Sequence, residues 1–428
     1  MKKVFFYLIL GCVLIGFAEI SAAPALKYAG YSIEKVVEAR KRRSQSRNQD
    51  EPARLLHPYL GYVFDHTNHP EYFRTLYSGG VSKFGFVDST GDGVNPVMKR
   101  SDALLIVGIL GGSVAQGASS YLKEALAKKI VSVAGLEHKQ VILLNFAMGG
   151  YKQPQQLMAV NYLLSLGAEF DLLINIDGFN EVALPDTESK PQQVSPFYPR
   201  SWYFLVAEHD IRFLPDFVPY KAVAYGRKVV AQAVSIIPLS EKSYAINAAW
   251  AAFDRLMGIT ERGLRGFLAS RRPHGFYAAG PPFEYSKGDE FLYEELSWVW
   301  ARSSFLLDQI SRENHIAYFH FLQPNQYDEG SRALTEEEKK TAFSEEHPYR
   351  KGVQKGYSYL RQRIRFLQEK GVHVYDFSMI FKDVNQSVYL DTCCHFNVWG
   401  YEYFAEKIAG VIVERLSRFR DNRPTQIQ

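Results

Sequence analysis

The chain has 428 residues, 46% of them hydrophobic, which is enough for one large domain or two ordinary ones with a substantial core. Its formal charge is only +4, from 50 basic and 46 acidic residues. This balance, together with the lack of a basic stripe interleaved with aromatic residues, argues against a nucleic-acid-binding protein.

The first predicted element is a targeting segment. A short basic start, MKK, precedes an apolar run at 4–17, and small residues follow at 21–24. The run is short for a membrane span, which needs about 20 apolar residues, but it fits the apolar region of a secretory signal peptide. Residues 1–23 are therefore predicted to be a signal peptide, with an uncleaved anchor and a lipoprotein processed at Cys12 left open. All three place the protein outside the cytoplasm, in the periplasm, secreted or held at the membrane.

Beyond a polar linker predicted at 24–56, short apolar runs alternate with amphipathic stretches, and 57–428 is predicted to form one domain. The apolar runs predict buried strands at 103–110, 140–147, 170–177, 317–322 and 372–377. The amphipathic stretches predict helices at 119–135, 153–167, 357–371 and 397–419. This alternation is typical of right-handed βαβ units and of a parallel sheet.

A long interruption at about 182–313 separates the third predicted strand from the fourth. It contains helical stretches and aromatic-rich loops, and it is too long for a simple connection. The interruption is predicted to be a helical insertion. Most of its aromatic residues are expected to pack against the sheet, and a minority to line a substrate groove.

Candidate functional residues follow four of the predicted strands, at the carboxyl ends where open parallel sheets bind ligands. Each has a plainer explanation by itself, such as a helix cap, a core histidine or a turn residue. The prediction rests on their convergence at one edge of the sheet, and Glu181 is interpreted as a solvated or hydrogen-bonding neighbour. The candidates are Ser113 after the first strand, Gly149 and Gly150 after the second, Asn180 after the third, and Asp391 and His395 after the fifth.

These residue types suit nucleophilic catalysis. Histidine is the usual base for a serine hydroxyl, and it needs an acceptor that fixes its tautomer. His395 is therefore predicted to be the base for Ser113, with Asp391 as the acceptor. The backbone N–H groups of Ser113 and Gly150 and the side-chain amide of Asn180 are predicted to form the oxyanion hole.

Two cysteines, Cys393 and Cys394, lie beside His395 in the same loop. Nearest neighbours cannot join distant elements, so the fold is not expected to depend on a disulfide framework, and the redox state of the pair stays open. A zinc site needs about four ligands at characteristic spacing, and this loop offers three. Neither a metal nor a cofactor is predicted, and the cysteines are interpreted as local packing.

Ser, Gly, Asn and His, in this order at four strand ends, resemble the four sequence blocks of the SGNH/GDSL hydrolases. The resemblance covers about 100–180 and 315–418. It implies a three-layer α/β/α, flavodoxin-like fold with a five-stranded, mostly parallel sheet, and ester hydrolysis through an acyl-serine. The matching segments are GGS at 111–113, NFAMGGY at 145–151, GFNE at 178–181 and DTCCHFNVWGYEYFAEKI at 391–408.

Two positions depart from the family pattern. The family usually places its acid three residues before the histidine, whereas Asp391 lies four before it. Gly112 stands where the family often has aspartate. The oxyanion glycine is either Gly149 or Gly150, and Gly150 is preferred because a tyrosine follows it, as in the family's GY form.

The sequence thus predicts an extracytoplasmic esterase, lipase or polysaccharide O-acetylesterase, with a small-molecule, polysaccharide or lipid ester as substrate. An α/β-hydrolase is disfavoured because Ala115 stands where its nucleophile elbow needs glycine. The alternative is a non-catalytic or weakly catalytic cell-envelope binding or assembly protein on the same fold. Nucleic acid is not an expected partner, and membrane association is expected only through the N-terminal apolar segment.

Overall fold

The computed structural model describes residues 2–45, 54–66, 80–88, 95–207, 214–270 and 276–421. The chain divides into two compact units. A helical unit comprises 1–53 and 207–271, and an α/β unit comprises 54–206 and 272–428. The predicted insertion at about 182–313 is therefore divided, since only its central part belongs to the helical unit.

The strands are β1 (Arg54–His57), β2 (Gly61–Phe64), β3 (Leu104–Gly111), β4 (Gln140–Asn145), β5 (Leu172–Asp177), β6 (Ala317–Leu322) and β7 (Val374–Asp376). The helices before β6 are α1 (Lys2–Tyr28), α2 (Ile33–Gln45), α3 (Ser113–Ile130), α4 (Gln155–Ser165), α5 (Phe179–Leu184), α6 (Lys190–Gln192), α7 (Trp202–Ala207), α8 (Leu214–Ser235), α9 (Tyr244–Ser270), α10 (Phe276–Ala279) and α11 (Asp289–Glu313). After β6 come α12 (Glu336–Thr341), α13 (Tyr349–Glu369) and α14 (Val398–Asp421), and short π and 3₁₀ turns lie at Pro185–Ser189 and Tyr285–Lys287.

The α/β unit is built on a five-stranded parallel sheet, which confirms the predicted fold class. The strand order is β4-β3-β5-β6-β7, or 2-1-3-4-5 when these strands are numbered along the chain. This order is the flavodoxin-like, doubly wound arrangement, in which ligands bind at the carboxyl ends of the strands where the winding reverses. Here the reversal occurs between β3 and β5.

Helices cover the sheet on both faces. On one face α3 packs against α14, and on the other α11 packs against α4 and α13. Because both faces are covered, β4 and β5 are buried along almost their whole length, and their sequences are mainly apolar instead of alternating. The result is the three-layer α/β/α architecture, with the core between the sheet and each helical layer.

The helix after β3 starts earlier than the sequence pattern predicts. The predicted helix begins at residue 119, whereas α3 begins at Ser113 and contains Gly117. A Cβ at Gly117 would lie 2.6 Å from the hydroxyl of Tyr401 in α14. The glycine therefore allows α14 to pack closely, even though glycine weakens a helix.

The helical unit contains α1, α2, α8 and α9. The predicted leader at 1–23 lies almost wholly within α1, and α2 occupies part of the predicted linker, of which 46–53 lies outside the described residues. Glu19 of α1 accepts a hydrogen bond from Ser243 and one from the Tyr244 N–H at the start of α9. Among the helices in the described ranges, none combines the length and apolarity that a membrane crossing requires.

Candidate active site

Ser113 lies at the turn that joins β3 to α3 and is the first residue of the helix. Gly111 forms the turn with a φ of +135°, where a Cβ would collide with the carbonyl oxygen of Ile176 in the neighbouring strand. The first N–H groups of a helix have no partner inside it. The Ser113 N–H is therefore a donor at the positive end of α3, next to its own hydroxyl.

Ser113, His395 and Asp391 come together although 282 residues separate the serine from the histidine. His395 Nε2 lies 2.8 Å from Ser113 Oγ, and His395 Nδ1 lies 2.5 Å from Asp391 Oδ2. Burial lowers the pKa of His395, but the Asp391 carboxylate outweighs it and raises that pKa above its usual value. Burial raises the pKa of Asp391, but His395 and backbone N–H groups lower it to about 2. Asp391 is thus a carboxylate at neutral pH.

The acid can lie four residues before the base because the loop curls around its carboxylate. Asp391 Oδ1 accepts hydrogen bonds from the backbone N–H groups of Cys393 at 2.9 Å, Cys394 at 3.1 Å and His395 at 3.3 Å. This leaves Asp391 Oδ2 directed at His395 Nδ1. The cysteines occupy the bend, so the unusual spacing does not separate the acid from the base.

Asn180, in the first turn of α5, brings its side-chain amide to the Ser113 turn. The Asn180 Nδ2 group donates one hydrogen bond to Tyr151 O at 2.7 Å, which leaves its second N–H for a ligand. A Cβ on Gly112 would collide with Asn180 Nδ2. Gly112, the departure from the family pattern, therefore makes room for the amide beside Ser113.

The two glycines after β4 differ in their surroundings. The Gly149 N–H donates to Gln116 Oε1 at 2.9 Å, so it is committed within the protein. Gly150 has a φ of +85°, and a Cβ there would lie 2.5 Å from Arg200 Cδ and 3.0 Å from the Tyr62 hydroxyl. The bond to Gln116 favours the Gly150 N–H as the donor toward a substrate.

No protein-family model and no curated protein matches the sequence. Among solved structures, the chain aligns with a Bacteroides fragilis protein that carries a provisional acylhydrolase designation. The two chains are 10% identical with a TM-score of 0.36, and the alignment covers 75% of this chain and 92% of the other. At this level of similarity the alignment says nothing about the roles of individual residues.

Glu181 contributes to the site in a way that the sequence pattern did not predict. It is buried, and its carboxyl group joins the two loops that carry the oxyanion candidates. Oε1 accepts from the Gln153 N–H at 2.9 Å, and Oε2 accepts from the Gly178 N–H at 2.8 Å. Gln153 follows Gly150 in one loop, and Gly178 precedes Asn180 in the other. The available signal was a single acidic residue within the apolar segment FNEVAL.

A second Ser–His–Asp arrangement lies in the core next to these loops. Asp177 Oδ1 lies 2.7 Å from His320 Nε2, and Ser304 Oγ lies 2.7 Å from His320 Nδ1. All three side chains are buried, and Trp300 Nε1 also donates to Asp177 Oδ1 at 2.5 Å. Burial and the charge of Asp177 raise the pKa of Glu181 to about 8.

Cys393 and Cys394 are free thiols whose Sγ atoms lie 3.4 Å apart. Cys394 is buried and contacts the Ser113 side chain, whereas Cys393 is partly exposed. Together with His395 they are the one group of possible metal ligands found in the described part of the chain, with donor atoms within 4.8 Å of one another.

Proposed function

We propose that the protein is a serine ester hydrolase of the SGNH type that acts through an acyl-serine. The observation that carries the proposal is the continuous chain of contacts from Asp391 through His395 to Ser113, at 2.5 Å and 2.8 Å. The position of Ser113 also supports the proposal. It lies at the carboxyl end of β3, beside the Asn180 amide.

In the proposed reaction, His395 Nε2 takes the proton of Ser113 Oγ as this oxygen bonds to the ester carbonyl carbon. The N–H groups of Ser113 and Gly150 and the Asn180 amide hold the negative charge that develops on the carbonyl oxygen. Asp391 keeps the proton on His395 Nδ1 and stabilises the imidazolium.

His395 then gives its proton to the alcohol oxygen as the bond from carbonyl carbon to that oxygen breaks, which leaves the acyl group on Ser113. Water enters, loses a proton to His395 and attacks the acyl carbon. The bond to Ser113 Oγ breaks, this oxygen regains a proton from His395, and a carboxylic acid leaves. No metal or redox step is needed for this balance.

The proposed substrate is a small-molecule, polysaccharide or lipid ester outside the cytoplasm. The proposed location of the protein rests on the N-terminal apolar run at 4–17. The alternative is a non-catalytic or weakly catalytic cell-envelope binding or assembly protein, which the displaced acid and the large insertion favour slightly. The 2.5 Å contact from Asp391 to His395 removes the first of these reasons. A panel of esters that differ in acyl length, with O-acetylated glycans, distinguishes the substrate classes.

The test of the proposed chemistry is covalent labelling by a fluorophosphonate, followed by mapping of the labelled peptide. We expect the label on Ser113 and its near-complete loss in Ser113→Ala and His395→Ala. The control is Ser304→Ala, which removes the serine of the buried arrangement and should be labelled like the wild type. A folded wild-type protein that takes no label, or Ser113→Ala labelled as fast as the wild type, would overturn the proposal.

A further inference from the structure

The loop that holds the base also presents two thiols that the proposed reaction does not use. The Sγ atoms of Cys393 and Cys394 lie 3.4 Å apart, and donor atoms of both residues and of His395 lie within 4.8 Å of one another. Cys394 also contacts Ser113, the residue that His395 Nε2 faces. The three donors therefore converge at the reacting end of the site.

The hydrogen bonds of His395 determine which of its ring nitrogens can bind a metal ion. Nδ1 is bound to Asp391 Oδ2 at 2.5 Å, so a cation would bind Nε2 in place of its 2.8 Å contact with Ser113 Oγ. In metal sites, a carboxylate on the other ring nitrogen commonly orients the histidine and raises its basicity. Asp391 thus prepares His395 as a metal ligand in the same way that it prepares it as a base.

The donors select a class of metal ion. Thiolate and imidazole together favour Zn²⁺ and similar soft or borderline cations over Mg²⁺ or Ca²⁺. Two Zn–S bonds of about 2.3 Å at a tetrahedral angle place the sulfur atoms about 3.8 Å apart. The Sγ atoms of Cys393 and Cys394 lie 3.4 Å apart, so they need to separate by only a few tenths of an ångström. Cys393 is partly exposed, which gives an ion access from solvent.

We propose that Cys393, Cys394 and His395 form a binding site for Zn²⁺ or a chemically similar cation, and that its occupation blocks the hydrolase. A cation on His395 Nε2 takes the lone pair that would receive the Ser113 proton. Three protein ligands leave one tetrahedral position open. The ion is an inhibitor and not a resident cofactor, so a chelator should not lower the activity of the metal-free enzyme. The inhibition rests on the proposed function, whereas the binding does not.

Binding is tested with Cd²⁺, because thiolate ligation to this ion gives an ultraviolet charge-transfer absorption. The protein carries Cys12→Ser, which leaves two of the three cysteines of the chain, and a phosphine keeps them reduced. We expect one Cd²⁺ per chain. Cys393→Ser/Cys394→Ser should lose the absorption and bind at least about 100-fold more weakly, since even second-shell ligand partners contribute 10- to 100-fold. The matched control, His347→Gln, removes a nearby histidine outside the group and should bind like the parent.

Inhibition is tested with Zn²⁺ on ester hydrolysis. We expect inhibition of the parent that EDTA reverses, and a shift of roughly 100-fold to higher zinc in the double cysteine variant, whose metal-free activity is largely retained. No thiolate absorption when Cd²⁺ is added to the parent, equal zinc inhibition of both proteins, or activation by zinc would each overturn the proposal. The Cd²⁺ absorption does not depend on turnover. The binding proposal can therefore be tested even if the protein shows no hydrolase activity.

Discussion

The described residues include two Ser–His–Asp arrangements with nearly equal contact distances, and of these two one is suited to catalysis. In the candidate site, the histidine lies 2.8 Å from its serine and 2.5 Å from its aspartate. In the core, both corresponding distances around His320 are 2.7 Å. Contact distances by themselves therefore do not distinguish a catalytic triad from a structural network.

The surroundings of the two serines make the distinction. Ser113 starts α3, with a free helical N–H and the Asn180 amide beside it, and its site is partly exposed. Ser304 lies within α11, where its side chain is fully buried. His320 also contacts its aspartate through Nε2, whereas His395 contacts its aspartate through Nδ1. A nucleophile needs substrate access and oxyanion donors, and Ser304 has no access.

The largest effect should come from removal of the two serines in turn. Ser113→Ala should lower kcat for ester hydrolysis by up to about 10⁶-fold, as loss of other triad nucleophiles does. Ser304→Ala should keep the chemistry and reduce stability by about 1–3 kcal/mol, because the buried His320 Nδ1 loses its partner. Steady-state kinetics and urea unfolding measure both quantities. A similar loss of kcat in a folded Ser304→Ala protein would contradict the distinction.

The second-largest effect should follow removal of the carboxylate charge. Asp391→Asn should lower kcat up to about 10⁴-fold, because the amide no longer fixes the His395 tautomer. Asp177→Asn, in the core, should mainly lower the melting temperature, since Asp177 accepts hydrogen bonds from Trp300 and Asn175 as well as His320. If Asp391→Asn turns over like the wild type, the acid has been assigned wrongly.

The sheet and the catalytic candidates could be predicted because both depend on local sequence patterns. Buried parallel strands are short apolar runs, and the residues that follow them meet at one edge. The curled loop that allows Asp391 to reach His395 could not be predicted. It depends on hydrogen bonds from three backbone N–H groups, and backbone groups leave no pattern in the sequence.

Features that depend on contacts between distant segments were missed. Gly117 lies within α3 because it leaves room for Tyr401 of α14, and these residues lie in helices far apart in the chain. Glu181 does form hydrogen bonds, one of the two predicted alternatives, but its burial could not be predicted because one of its partners lies in the loop after β4. The core network joins a strand end, a helix and a second strand, which no single motif contains.

Ser113 has oxyanion donors beside it and Ser304 does not. The contribution of these donors can be tested by changing Asn180 or the glycine that packs against it. Asn180→Ala should cost about 3–4 kcal/mol of transition-state stabilisation, a loss of roughly 100- to 1,000-fold in kcat with little change in KM. Gly112→Ala should reduce kcat as well, because its Cβ collides with Asn180 Nδ2. Gly410→Ala is the matched control, since a Cβ there meets nothing within 4 Å. A loss confined to KM would make Asn180 a binding residue instead.

Glu181 should act as a positioning residue between the two loops. In Glu181→Gln, the new amide N–H₂ faces either the Gln153 N–H or the Gly178 N–H, both of which need an acceptor. One unsatisfied donor costs about 1–3 kcal/mol and allows its loop to shift. A shifted oxyanion donor should lower kcat about tenfold, with KM nearly unchanged. Glu181→Asp, which keeps the acceptors, should recover part of the rate. A role in stability alone predicts a lower melting temperature with kcat intact.

The smallest effect concerns the pH dependence of kcat/KM. Burial lowers the pKa of His395, and the Asp391 carboxylate raises it above the ordinary value of about 6.5. The base works only when neutral, so activity should be lost as pH falls through this raised pKa. In Asp391→Asn burial remains while the charge is gone, so the acid limb of the residual activity should move to lower pH. Ser304→Ala should leave the limb in place, because the core arrangement supplies no base. A limb that moved upward in Asp391→Asn would mean that another group titrates.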